Sequence, residues 1–354
     1  MTEAQRILFA LRAADGAASA PLPPPPLPPL PASSIAAVKA YLGGGERPPA
    51  AWLGPPRAFS HPTPTSVLVR SGGAAALHCD SCPRLAFAEG LFLPCGSDLP
   101  LSPCVLSGVA AGWRAMEGEG WSLPALAARC SATEAFSLDG GPGFARESLA
   151  AGAVTMADFA HYALGGEAAA DAAPLYIFDE GLATRRFASG APMAGEFTIP
   201  ACFAADQVGA GAAARPLPPS WLLVGPAGSG TPVHCHPCTV GWCTLLRGAK
   251  LWVLLPPGTP PEALCVGAYN TVSAEDEDLS ALAWMLLWGS APGQRALPAG
   301  AVTALQREGE TVFLPAGWWH CVLNVQCSTA LSHSLYLKRD AGLRAGEESG
   351  RGGH

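Results

Sequence analysis

Three histidines have the residue type and spacing best suited to chemistry. His234 and His236 lie two apart after Gly228-Ser229-Gly230-Thr231, and His320 follows Pro315-Ala316-Gly317-Trp318-Trp319. Side chains at i and i+2 of a strand point to one face. His234 and His236 therefore aim together into the interior or mouth of a barrel, and Cys235 points away. Such a pair plus one distant residue is how a facial metal triad is assembled, usually with two histidines and one carboxylate around open positions on Fe(II). This makes a metal site the preferred reading over ordinary core histidines. His333 alternates with Ser332 and Ser334 and reads as an ordinary satisfied or exposed histidine. Two Cys-x-x-Cys pairs, Cys79/Cys82 and Cys235/Cys238, raise a structural zinc site, with His78 beside the first. Paired knuckles signal zinc strongly only when close in sequence, so small buried thiols are favoured here. A thioredoxin-like reading of Cys79-Asp80-Ser81-Cys82 lacks the surrounding βαβ pattern.

Histidines spaced this way need strands to hold them. Candidate strands run over Trp221–Gly225, Thr231–His236, Trp242–Leu246 and Ala249–Leu255, with a turn at Arg247-Gly248. Thr311–Leu314, Cys321–Val325 and Thr329–Leu337 follow. Many short strands punctuated by Gly and Pro turns predict a β-sandwich or jelly-roll barrel. Upstream, Ser66–Arg70, Cys104–Val109 and Leu175–Phe178 read as strands, the last ended by Asp179. Ser122–Cys130 and Thr155–Leu164 read as helices, with Thr155 and Asp158 as an Asp-type capping box. The insert Glu275–Trp288 is acidic and then apolar, a helix packed on one end of the barrel. Residues 1–20 form a short amphipathic helix in this reading, and Ser33–Leu42 a second one. Residues 21–31 consist of Pro and Leu alone and read as a polyproline II spacer, the preferred reading over an SH3 or WW ligand. The expected organisation is therefore a helix and linker at 1–45, an α/β extension at 46–170, the barrel at 171–340 and a polar tail at 341–354.

Composition narrows the function. Lys and Arg number 21 against 28 Asp and Glu in 354 residues, a net charge of −7. Electrostatic grip on nucleic acid needs clustered positive charge. No run of five basic residues occurs, so direct nucleic-acid binding is not expected. Hydrophobic residues make up 49% and charged residues 14%, enough to bury a core. Gly (41) and Pro (36) predict many turns and few long helices. No apolar run is long enough to span a bilayer, and Met1–Ala20 lacks the order of a secretory signal. The chain reads as soluble and intracellular, with its twelve cysteines as thiols or ligands rather than disulfides.

Several segments, in order, resemble the JmjC family of cupin-fold oxygenases, and above all its arginine-demethylase and lysyl-hydroxylase branch. They are Pro174-Leu175-Tyr176-Ile177-Phe178-Asp179, Trp221-Leu222-Leu223-Val224-Gly225-Pro226, Gly228-Ser229-Gly230-Thr231 through His234, Trp242 and Gly248-Ala249-Lys250-Leu251-Trp252. Gly309 through His320 and Val322-Leu323-Asn324 complete the set. The resemblance implies a mainly β fold with flanking helices (α+β) around a double-stranded β-helix core. It implies Fe(II), 2-oxoglutarate and O2, with succinate and CO2 released as a C–H bond of a substrate is oxidised. His234 matches the first metal ligand and His320 the last. Lys250 matches the lysine that anchors the far carboxylate of 2-oxoglutarate. Thr231 and Ser332 match hydroxyls that help hold it, Ser332 replacing a threonine. The implied substrate is a protein or peptide, and the acidic balance fits a Lys/Arg-rich one.

This chain departs from the family pattern at His236, which stands where the triad carries its carboxylate. Cys243 and Ser334 each replace an amide. The leading expectation is an oxygenase that hydroxylates or N-demethylates a protein Lys or Arg. The alternatives are a catalytically silent JmjC module that binds a protein partner, and a three-histidine cupin enzyme that does not use 2-oxoglutarate. Retention of Lys250 argues against the last.

Overall fold

The computed structural model describes residues 80–87, 102–139, 153–170, 174–200, 220–236, 239–264, 281–285, 288 and 296–336. The expected N-terminal helices, the proline-rich spacer, the strand at Ser66–Arg70, Cys79, Cys238 and the polar tail lie outside these residues.

Thirteen strands and four α-helices are described. In chain order they are β1 (Arg84–Ala86), β2 (Cys104–Ser107), α1 (Leu123–Arg129), β3 (Ala135–Asp139), β4 (Ala153–Thr155), α2 (Met156–Leu164) and α3 (Glu167–Ala170). Then come β5 (Tyr176–Asp179), β6 (Trp221–Gly225), β7 (Gly230–Cys235), β8 (Thr239–Arg247) and β9 (Ala249–Leu255). The last are α4 (Ala281–Met285), β10 (Val302–Arg307), β11 (Thr311–Leu314), β12 (Trp319–Asn324) and β13 (Ser328–Tyr336). Nine strands make one sheet, in the order β1-β2-β11-β8-β13-β6-β5-β3-β4; the other four make a second, β10-β9-β12-β7. The two sheets form a double-stranded β-helix, mainly β with flanking helices.

Strand alternation sorts side chains into three layers. Between the sheets lie Leu223, Cys243, Leu245, Trp252, Leu254, Ala304, Val312, Leu314, Val322 and Ala330. On the outer face of the large sheet, Leu222, Val224, Trp242, Phe313 and Leu331 pack with Leu126 of α1 and Phe159 of α2. On the outer face of the small sheet, Leu251, Val253, Cys321 and Leu323 pack beneath Trp284 of α4 and Trp288. The expected insert helix thus covers a sheet face rather than an end. The chain crosses from the large sheet to the small one at Gly248, where φ is +89° and a Cβ would collide with the Cys327 carbonyl.

The helix α2 begins as its capping pattern predicts. The Thr155 hydroxyl accepts from the Asp158 N–H at 3.2 Å and donates to the Asp158 carboxylate at 2.7 Å. The strand β2 ends at Ser107, earlier than expected, because Gly108 turns the chain at φ +93°. Asp179 belongs to β5 and does not merely end it. The strands β1, β3, β4 and β10 were not legible, since short strands on sheet edges or in the extension carry little alternation.

Trp284 is fully buried and donates its indole N–H to the Leu264 carbonyl at 2.7 Å. Removing a buried tryptophan costs about 3–5 kcal/mol. Trp284→Ala should lower the unfolding free energy by that amount in urea titrations. A loss below about 1 kcal/mol would mean α4 does not seal the small sheet.

Candidate metal and cosubstrate site

The three histidines come together at the end of the small sheet. His320 opposes His234 across the antiparallel β12–β7 ladder, and His236 follows just past the end of β7. Ring centroids lie 4.0 Å apart for His234 and His320, 4.9 Å for His234 and His236, and 5.3 Å for His236 and His320. One ligand atom from each lies within 4.8 Å of the others.

A fault in the ladder brings Thr231 to the same cavity. Thr231 and His234 are three apart, so regular alternation would place them on opposite faces. The β12 partners of His234 and Thr231 are His320 and Val322, only two apart. One extra residue is therefore accommodated on β7, beside Pro232. Bulges admit a proline because no ladder hydrogen bond is demanded there. Val233 and Cys235 turn to the outer cluster while Thr231, His234 and His236 line the cavity.

The tautomers are set by the backbone. A carbonyl can only accept, so Nδ1–H of His234 donates to the Pro232 carbonyl at 2.8 Å, and Nδ1–H of His320 to the Trp318 carbonyl at 3.2 Å. Each Nε2 is left as a lone-pair donor, the arrangement that orients imidazole ligands on metals. Burial lowers the pKa of His234 to about 4. Burial and then His234 lower that of His236 to about 3. Burial and the other two histidines hold His320 well below its ordinary value. Three neutral imidazoles with convergent lone pairs fit a divalent d-block ion such as iron.

Lys250 closes the far end of the cavity. It is fully buried on β9, opposite Asn324 of β12. Its ammonium donates to the Asn324 Oδ1 at 2.6 Å and to the Tyr176 hydroxyl at 3.1 Å. Asn324 Nδ2 in turn donates to the Ser229 hydroxyl at 2.8 Å, and that hydroxyl donates to the Pro226 carbonyl at 2.6 Å. Among the described residues no carboxylate pairs with Lys250. Burial lowers its pKa to about 8, with Cys243 and Cys327 opposing the shift. A buried ammonium held by neutral dipoles alone is suited to receive a carboxylate from outside. Gly225 lets this network close, since a Cβ there would strike Ser229, Asn324 and Tyr176.

Besides Thr231, Lys250 and the histidines, the cavity is walled by Tyr176, Phe178, Leu223, Cys243, Trp252, Val322 and Ser332. Its empty space, mouth included, is about 410 Å³. The Trp252 ring stacks toward His320 at 6.3 Å and 24°. Its indole N–H donates to the buried Gln306 side chain at 2.8 Å. Ser332 lines the cavity while its hydroxyl donates to the Trp242 carbonyl at 3.3 Å. Cys243 is also a wall, and burial raises its thiol pKa to about 11. Ser334, the other amide replacement, lies beside Gly241 and is not part of the wall. His333 packs on the Trp242 ring at 5.6 Å, on the opposite face. Sequence reasoning assigned no role to Tyr176, Asn324 or Ser229. Asn324 was findable, because His320, Val322 and Asn324 share the inward parity of β12.

Fold and site define a class: double-stranded β-helix proteins with three clustered imidazoles that could hold a metal and a buried ammonium in one cavity. Residues 221–335 match the family model described as JmjC domain, hydroxylase. These residues belong to the JmjC family. The chain is similar to the bifunctional arginine demethylase and lysyl-hydroxylase psr-1 of Caenorhabditis briggsae, 33% identical over 46% of this chain and 41% of that protein. It is also similar to the arginine-specific demethylase JMJ22 of Arabidopsis thaliana, 28% identical over 66% of this chain and 42% of that protein. With the lysine-specific demethylase JMJ21 of the same plant the identity is 32%, over 49% of this chain and 18% of that one. The chain therefore spans less than half the length of these relatives. Among the described residues no helix is long and apolar enough to cross a membrane.

The buried histidines make stability pH-dependent. His234 titrates at its ordinary value near 6.5 when unfolded and at about 4 when folded. Between those values the unfolded chain binds more protons, so stability rises with pH there. Metal-stripped protein should hold its Tm above about pH 6.5 and lose it progressively toward pH 4. A His234→Gln variant should show a shallower fall. Identical profiles would refute a buried, neutral His234.

Proposed function

We propose that this chain is an Fe(II)- and 2-oxoglutarate-dependent oxygenase that hydroxylates or N-demethylates a Lys or Arg side chain of a protein, in the nucleus or cytoplasm. The reading rests on one observation above others: a three-imidazole cluster and a buried ammonium with no carboxylate partner among the described residues open into one cavity. The demethylase and hydroxylase names of the relatives support it. When bound at His234, His236 and His320, the metal with 2-oxoglutarate and O2 would supply the oxidising chemistry.

The chain's own residues have separable roles. The Lys250 ammonium receives the far carboxylate of the cosubstrate, and Tyr176 and Asn324 hold that ammonium in place. Thr231 offers a hydroxyl donor in the same cavity, and Ser332, whose proton goes to the Trp242 carbonyl, lines the wall and offers an acceptor. Phe178, Leu223, Trp252 and Val322 exclude water, which strengthens each charged hydrogen bond in the cavity. The acidic balance of the chain favours a basic peptide.

A second reading, a silent JmjC module that binds a protein partner, is favoured by His236 in the carboxylate position together with Cys243 in the wall. Succinate release from 2-oxoglutarate, measured with Fe(II) and ascorbate, separates the two. Wild type should turn over. Lys250→Ala should weaken 2-oxoglutarate roughly 10- to 100-fold, the worth of a charge-assisted hydrogen bond. Silence from wild type with turnover by His236→Asp would instead identify the binding module.

A further inference from the structure

Among the described residues nothing in the cavity compensates its positive charge. None of its described walls is Asp or Glu. Its metal-ligating candidates are three neutral imidazoles, and the one charged side chain among its described walls is the Lys250 ammonium, still protonated at neutral pH with its pKa near 8. Cys243 does not supply the missing anion. Its thiol is held neutral by burial, and its sulfur falls outside the histidine cluster. A divalent metal and Lys250 together bring three positive charges into a closed, low-dielectric space. A dicarboxylate cosubstrate returns two negative ones. One positive charge remains, where a carboxylate in the place of His236 would have left none. An unbalanced buried charge is costly, and a mobile counter-ion is the available remedy.

We propose that the cavity binds a small inorganic monoanion, of the halide or pseudohalide class, beside the histidine cluster in the charge slot that His236 leaves empty. The inference rests on the metal-centre reading given under the proposed function. It requires no further redox step: the anion would only balance charge beside the cluster. His236 is thereby a specificity-determining residue, making the site one that takes an anion from solution rather than from its own chain.

The test uses the full chain loaded with Co(II), in the presence of 2-oxoglutarate, at pH 6.5 to limit competition from hydroxide. Sodium azide is titrated while the visible cobalt absorption is recorded. Wild type should show a saturable azide-dependent change. His236→Asp should bind azide at least roughly tenfold more weakly, as one unit charge in a poorly screened pocket demands. His236→Asn, neutral like the native residue, should bind azide more tightly than His236→Asp when the two are compared at equal Co(II) occupancy. Equal affinity in wild type and His236→Asp would overturn the proposal. So would the absence of any azide response in wild type, or an equal loss in the Asn and Asp variants, since the imidazole and not its lack of charge would then be responsible. Folded wild type that takes up no Co(II) would overturn the metal centre and this inference together. An azide response from a protein that never releases succinate would overturn the oxygenase reading alone.

Discussion

Placing the Lys250 ammonium inside the barrel constrains much of the surrounding structure. A charge removed from water must be solvated by fixed dipoles or be lost as a proton. Here those dipoles arrive from separate parts of the fold: a phenol from β5, an amide from β12, and behind the amide a hydroxyl from the turn after β6. The antiparallel register that sets Asn324 opposite Lys250 therefore positions the anchor as well as building the sheet. Gly225 belongs to the same design, because any side chain there would occupy the space in which the network closes.

The histidine cluster depends on a different device. A strand of strict alternation cannot present both Thr231 and His234 to one cavity. The extra residue accommodated near Pro232 resets the parity midway along β7, so that the hydroxyl and both imidazoles face inward. Cys235 is sent to the outer cluster by the same shift, where it packs against the small sheet's apolar face. Backbone carbonyls at Pro232 and Trp318, the second residue before His234 and His320 respectively, then choose the tautomer of each ring. Metal affinity and strand geometry are thus linked through two local hydrogen bonds.

With an imidazole at His236 and neither Asp nor Glu among its described walls, the pocket is lined by neutral groups and one ammonium. The walls remain apolar around a cationic end, and the imidazoles stay neutral because burial penalises their charged form. Cys243 follows the same rule as a protonated thiol. The described cavity thus keeps one buried ammonium and three neutral imidazoles within the same walls.

The barrel strands from Trp221 to Tyr336 were legible because their alternation and turns are local properties, and the His-x-His pair announced its shared face. Lys250 also stood out, as a charge within a run of buried apolar residues. The capping of α2 was written in Thr155 and Asp158 alone. By contrast, β10 and the fragments β1, β3 and β4 carry little periodicity, and α4 gives no local sign of which surface it will cover. The sequence by itself determined which residue types alternate along each strand and where the chain must turn. Only the tertiary structure decided that Tyr176, Asn324 and Ser229 hold the ammonium, that Thr231 shares a cavity with His234, and that Ser334 does not. Those outcomes rest on register and on one inserted residue between strands far apart in the chain, and such pairings have no signature in the local pattern of either strand.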